Sequence, residues 1–115
     1  MPPQTRLGAR VPILGLLAGD ITVVEPLTVK ELGVGGATIE TRFPLVIDSL
    51  HELRLSLDGQ SVVTKGRVVH SHISEVDSDA VAYHSGIEFV TLPDHVHSAI
   101  AAYLEALRTA RSGLD

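Results

Sequence analysis

Up to about Thr91 the apolar side chains of this chain come in short runs, each cut by glycine, proline or an aspartate-bearing turn. Runs of that length build strands rather than helices. The clearest case is the stretch before residue 58. Leu53, Leu55 and Leu57 share one parity and Glu52, Arg54 and Ser56 the other, so one face is apolar and one is polar. Asp58-Gly59 follows, the two-residue pair that most strongly signals a hairpin. A return strand is then expected over Ser61–Ile73, with Gly66 marking a bulge or a bend.

The same punctuation sets the other strands. Val11–Ala18 reads as the first, ended by a turn at Gly19-Asp20. Ile21–Leu32 reads as the second, and Pro26 within it calls for an edge or a bulge, because proline cannot donate to a ladder. Gly33-Val34-Gly35-Gly36 breaks the chain sharply before a third strand, Ala37–Arg42. Residues 43–50 form a connection around Pro44 and Asp48-Ser49, and residues 75–79 an acidic loop. Val81, Tyr83, Ile87 and Phe89 share a parity and mark a sixth strand.

After Thr91 the period changes. Val96, Ile100, Tyr103, Leu104 and Leu107 recur at helical spacing, one apolar stripe on a helix of about four turns. Thr91-Leu92-Pro93-Asp94 supplies a start signal with proline in the first turn, and Gly113 a stop. Six short strands followed by one amphipathic helix predict a mainly β fold: a six-stranded antiparallel β-barrel with a C-terminal α-helix. Closure into a barrel would also leave no exposed sheet edge. At 115 residues the chain is expected to be one domain over 1–115, with an N-terminal segment at 1–10, the barrel at 11–91 and the helix at 92–111.

Composition removes several functions. The chain has no cysteine, which excludes disulfides, thiolate metal sites and a cysteine nucleophile. The net charge is −5, against the many phosphate neutralisations that general DNA or RNA binding needs. That charge is uneven, since Arg6 and Arg10 precede all fourteen acids and make the first nineteen residues locally basic. No stretch reaches the roughly 18 apolar residues of a membrane helix, and no signal-peptide pattern opens the chain, so membrane insertion is not expected and a cytoplasmic location is. His70 and His72 would share a strand face, two ligands where zinc takes three or four; His95 and His97 would lie on nearly opposite helix sides, and His51 and His84 have no motif partner. These read as solvated or core-edge histidines, and no metal or cofactor is expected. No nucleophile elbow, phosphate-binding loop or paired-acid signature occurs, so an enzyme is not expected.

Four local features then fall in one order: Arg6-Leu7-Gly8-Ala9-Arg10 before the first strand, Glu31-Leu32-Gly33-Val34-Gly35-Gly36-Ala37 between two strands, Lys65-Gly66-Arg67-Val68-Val69 in the penultimate strand, and Gly86-Ile87-Glu88-Phe89 before the helix. Across nearly the whole chain this arrangement resembles the PilZ family, bacterial receptors for the second messenger cyclic di-GMP. Their signature is RxxxR followed some twenty residues later by [D/N]xSxxG. The resemblance implies a PilZ-like split barrel, a non-catalytic signalling role and cyclic di-GMP as ligand. It carries the ligand contacts to Arg6 and Arg10, which match the first motif, and to Glu31, Gly33 and Gly36 in the second.

Guanidinium groups suit this ligand because they can fork onto phosphate, pair with the O6/N7 edge of guanine, and stack on a base. Gly36 matches the terminal glycine of the second motif. Glu31 stands where that motif has Asp or Asn, one methylene longer, and Gly33 stands where it has Ser, without the hydroxyl. A lost neutral hydrogen bond is worth about 0.5–1.5 kcal/mol. These two departures motivate an alternative: a degenerate PilZ domain that binds no nucleotide and acts as a protein-interaction adaptor. A third reading is a structural barrel that serves as a regulatory subunit or oligomerises through its sheet. A protein partner is expected in the first two cases.

Overall fold

The computed structural model describes residues 9–21, 25–77 and 80–113. Its strands are β1 (Val11–Pro12), β2 (Ala18–Ile21), β3 (Glu25–Leu32), β4 (Gly36–Thr41), β5 (Leu50–Leu57), β6 (Gln60–Val76) and β7 (Val81–Thr91), followed by helix α1 (Asp94–Gly113). Hydrogen bonding runs β3-β2-β5-β6-β7-β4, and β4 returns to pair with β3. This is the expected closed six-stranded antiparallel barrel with one C-terminal helix. β1 lies outside that cycle and extends the edge of β3 beyond the end of β2.

Alternation is why the barrel has a core. Leu53, Leu55 and Leu57 are buried, while Glu52, Arg54 and Ser56 are exposed. Val29, Leu32, Ile39, Val68 and Ile87 join them, so the interior is almost wholly aliphatic. The few buried hydroxyls are satisfied, Ser85 Oγ by Ser71 Oγ at 2.9 Å and Thr41 Oγ1 by the carbonyl of Phe43 at 2.6 Å. Asp58 and Gly59 both have positive φ (51° and 90°), the left-handed pair that a two-residue hairpin matched to strand twist requires. A register shift between Lys65 and Gly66 is the bulge anticipated at that glycine.

The first strand differs from expectation. Its predicted span, Val11–Ala18, is interrupted, with Ile13–Leu17 leaving the ladder around Gly15 at φ 94°. Gly19-Asp20 is no turn; both residues lie within β2, Gly19 opposite Leu27 and Leu55. Glycine is needed there for space, since a Cβ would fall 2.8 Å from the Arg54 carbonyl oxygen. The predicted single strand Ile21–Leu32 is divided for a related reason: Ile21 pairs with Glu25, so β2 and β3 form a hairpin, and its connection lies outside the described residues. Pro26 sits where β3 is paired to β2 but not yet to β4, whose register begins at Thr28, and so behaves as a local edge.

The β3–β4 turn, the β5–β6 hairpin and the end of β7 all meet at one mouth of the barrel. Helix α1 closes that mouth. Val96 and Ile100 are fully buried, and Tyr103 and Leu104 pack against the same core. The helix runs from Asp94 to Gly113, two residues later at each end than expected. Pro93 stands just before it, and its carbonyl accepts from the amides of Val96 and His97 at 2.9 Å. No helix among the described residues is long and apolar enough to cross a membrane.

Candidate functional site

Where β3 turns into β4, the amide of Gly33 donates to the carbonyl of Gly36 at 2.9 Å, and Val34-Gly35 forms the tip. The amide of Phe89 donates to the Gly35 carbonyl at 2.9 Å, which ties the turn to β7. Over this corner lies the chain preceding β1. A Cβ at Gly33 would come 2.6 Å from the carbonyl oxygen of Ala9. At Gly36 a Cβ would come 2.1 Å from the carbonyl oxygen of Ile87 and 2.6 Å from Arg10 Nη2. Neither glycine is among those with positive φ, so space, not backbone handedness, requires glycine at both.

Arg10 reaches across Gly36, and its Nη2 donates to the Ile87 carbonyl at 3.3 Å. The segment is held from behind as well. Val11 and Pro12 pair with Leu32 and Glu31, the amide of Ile13 donates to the Lys30 carbonyl at 2.8 Å, and Arg111 Nη2 donates to the Pro12 carbonyl at 3.0 Å. Between this arm and α1 runs an apolar groove of about 450 Å³, lined by residues that include Val11, Val34, Leu104 and Leu107.

Glu31 owes its place outside the barrel to a bulge. Strict alternation from the buried Val29 would send Glu31 inward and Leu32 outward. The register shift between Val29 and Glu31 adds a residue, so that Glu31 stays at the surface and Leu32 returns to the core. Thr38, opposite Glu31 on β4, donates its hydroxyl to Glu31 Oε1 at 3.1 Å. Arg10, Glu31, Gly33 and Gly36 are therefore gathered at one corner, next to the helix-capped mouth. Arg6 lies outside the described residues.

Ala9, Thr38, Ile87 and Arg111 also belong to this corner, and the sequence marked none of them as a site residue, Ile87 only as a strand position. Three of them act through backbone or hydrogen bonds that leave no motif. Thr38 was open to discovery from pairing, since it faces Glu31 once the bulge is known. Chemically, the corner offers a guanidinium, with its planar fork of donors, beside a carboxylate and a stretch of backbone bare of side chains.

The histidines are not isolated. His70 and His72 share the outer face of β6 as expected, with rings 6.3 Å apart and inclined by 25°. His84, which has no partner in sequence, stands opposite His72 in the β6–β7 register, ring centroids 5.9 Å apart, and its Nε2 is 3.3 Å from Glu40 Oε2. Elsewhere, His51 Nε2 lies 2.9 Å from Ser49 Oγ, and burial pushes its pKa below the ordinary value.

The family model of the PilZ domain matches residues 4–106. No curated protein matches. Among solved structures the chain is similar to MrkH of K. pneumonia, with 15% identity, TM-score 0.78 and coverage of 93% of this chain and 51% of that one. It resembles the apo state of the same protein at 15% identity and TM-score 0.76, covering 100% of this chain and 55% of that one. The PilZ domain of YcgR from Escherichia coli, solved with c-di-GMP, is similar at 12% identity and TM-score 0.72, over 96% of this chain and 97% of that one. The chain thus spans about half the length of the MrkH chains, and at these identities the likenesses speak for the fold.

Proposed function

Because the chain belongs to the PilZ domain family, we propose that it is a non-catalytic receptor domain for cyclic di-GMP, with Arg10 and Arg6 closing over the nucleotide at the glycine corner. One observation carries this reading: the Arg10 guanidinium rests on Gly36, in a gap that only the missing side chain opens. A phosphate or a guanine edge presented there meets a charged planar donor seated over backbone that carries no side chain. The similar YcgR domain was solved with c-di-GMP, which supports the ligand's identity. Cyclic di-GMP is a bacterial messenger, so the proposed setting is the bacterial cytoplasm, with a protein partner taking the output.

The arm that holds Arg10 is bonded to α1 through Arg111 and Pro12. In this reading nucleotide capture moves the arm, and the change passes to the helix. Calorimetric titration with cyclic di-GMP tests the proposal. Arg10→Ala removes charge-assisted bonds worth about 1.5–3 kcal/mol, so affinity should fall ten- to a hundredfold. Absence of heat with the unaltered protein at high-micromolar concentration would refute it.

A second reading, an adaptor that binds no nucleotide, is favoured by two observations. The Glu31 carboxylate already accepts from Thr38. At Gly33, where the family signature has serine, the Ala9 carbonyl occupies the side chain's place. Micromolar binding by the unaltered protein would eliminate this alternative.

A further inference from the structure

The outward positions of three adjacent strands form rows beside the arginine corner. Gly36 on β4 pairs with Glu88 on β7, and Glu88 with Arg67 on β6. The next row is Thr38, Gly86 and His70, and the one after it Glu40, His84 and His72. Glycine therefore occurs twice on this face, at Gly36 and Gly86, one strand and two residues apart. Each bare position is covered by a planar group from a neighbour. Arg10 lies on Gly36, and the His70 ring lies on Gly86, where a Cβ would fall 2.2 Å from His70 Nε2.

Aromatic rings are scarce in this chain, which has two Phe, two Tyr and no Trp. Phe43, Phe89 and Tyr103 pack against the core. By contrast, His70 and His72 are exposed and His84 is half-buried, and the three stand side by side on this face. From Gly36 to His70 is two residues along a strand and two strands across, about 7 Å by 10 Å. That is within the span of a dinucleotide whose one end is held by Arg10.

We infer that His70 is a further ligand-contacting residue: its imidazole, seated on Gly86, is the platform on which one purine base of the nucleotide stacks. Imidazole is among the planar side chains on which unstacked bases settle, and stacking accepts a base without reading its edge. His72, with its ring inclined by only 25° to that of His70, extends the platform, and His84 with Glu40 bounds it. This inference rests on the nucleotide reading above and adds to it where the ligand lies.

The test is a calorimetric titration with cyclic di-GMP of the unaltered protein and of Arg10→Ala, His70→Ala and His70→Phe, with thermal melts showing that each variant folds. It is paired with an NMR record of the His70 Cε1–H signal during titration. His70→Ala should weaken binding about five- to tenfold, and His70→Phe, which keeps a ring, should restore it. The His70 signal should shift upfield, as a proton under a base does. If the unaltered protein binds and Arg10→Ala weakens binding, while His70→Ala binds normally and the His70 signal stays in place, the platform is overturned and the receptor reading stands. If the unaltered protein takes up no nucleotide, both fall.

Discussion

Gly36 is the residue on which the corner turns. A methyl group there would collide with the Ile87 carbonyl at 2.1 Å and with the Arg10 guanidinium at 2.6 Å. Gly36→Ala should therefore destabilise the fold by about 1–3 kcal/mol, as overpacking does, and displace Arg10. Urea unfolding measures the first effect and the Arg10 Nε–H resonance the second. The glycine was legible in the sequence as part of a motif, but its reason was not, because the atoms it must avoid come from residues 10 and 87. Glu31 was legible as a candidate, whereas the bulge that keeps it outside was not; alternation alone would bury it. His51 carries a prediction of its own. Burial lowers its pKa in the folded chain from 6.5, so protonation favours unfolding. Its contribution is fully present above 6.5 and is lost as pH falls through the lowered folded value. NMR titration of the His51 ring should give a midpoint below 6.5, and the melting temperature should drop on acidification less in His51→Gln than in the unaltered chain.

Strong local signals foretold the elements where one interaction decides the outcome. Asp58-Gly59 gave the β5–β6 hairpin, the parity of Leu53, Leu55 and Leu57 gave the buried face of β5, and the spacing of Val96 and Ile100 gave the stripe that α1 buries. The β1–β2 region resisted for a physical reason. Gly19 reads as a turn residue, yet it is glycine because β3 and β5 crowd it from both sides, and the break falls at Ile13–Leu17 instead. Glycine marks a turn and a tight packing site alike, and only the partners tell them apart. Helix α1 is expected to be structural. Ile100 is fully buried at the barrel mouth, so Ile100→Ala should cost about 2–5 kcal/mol in chemical denaturation.

At the scale of the molecule, barrel closure brings the start of the chain, the β3–β4 turn and the terminal helix to one end, a juxtaposition that no local pattern contains. Arg10 stands more than twenty residues before Gly36 and seventy-seven before Ile87, and the three still meet. An acidic chain thereby presents a cationic group at one spot, where a small dianion can be held although a long polyanion would be repelled. The proposed receptor role requires this arm to clasp a cyclic dinucleotide against the corner. Amide NMR during titration of the unaltered protein with cyclic di-GMP tests it most directly. The signals of Ala9–Ile13 and Gly33–Ala37 should shift together and saturate at micromolar nucleotide. Signals at both segments that stay in place while nucleotide rises to millimolar concentration would contradict it.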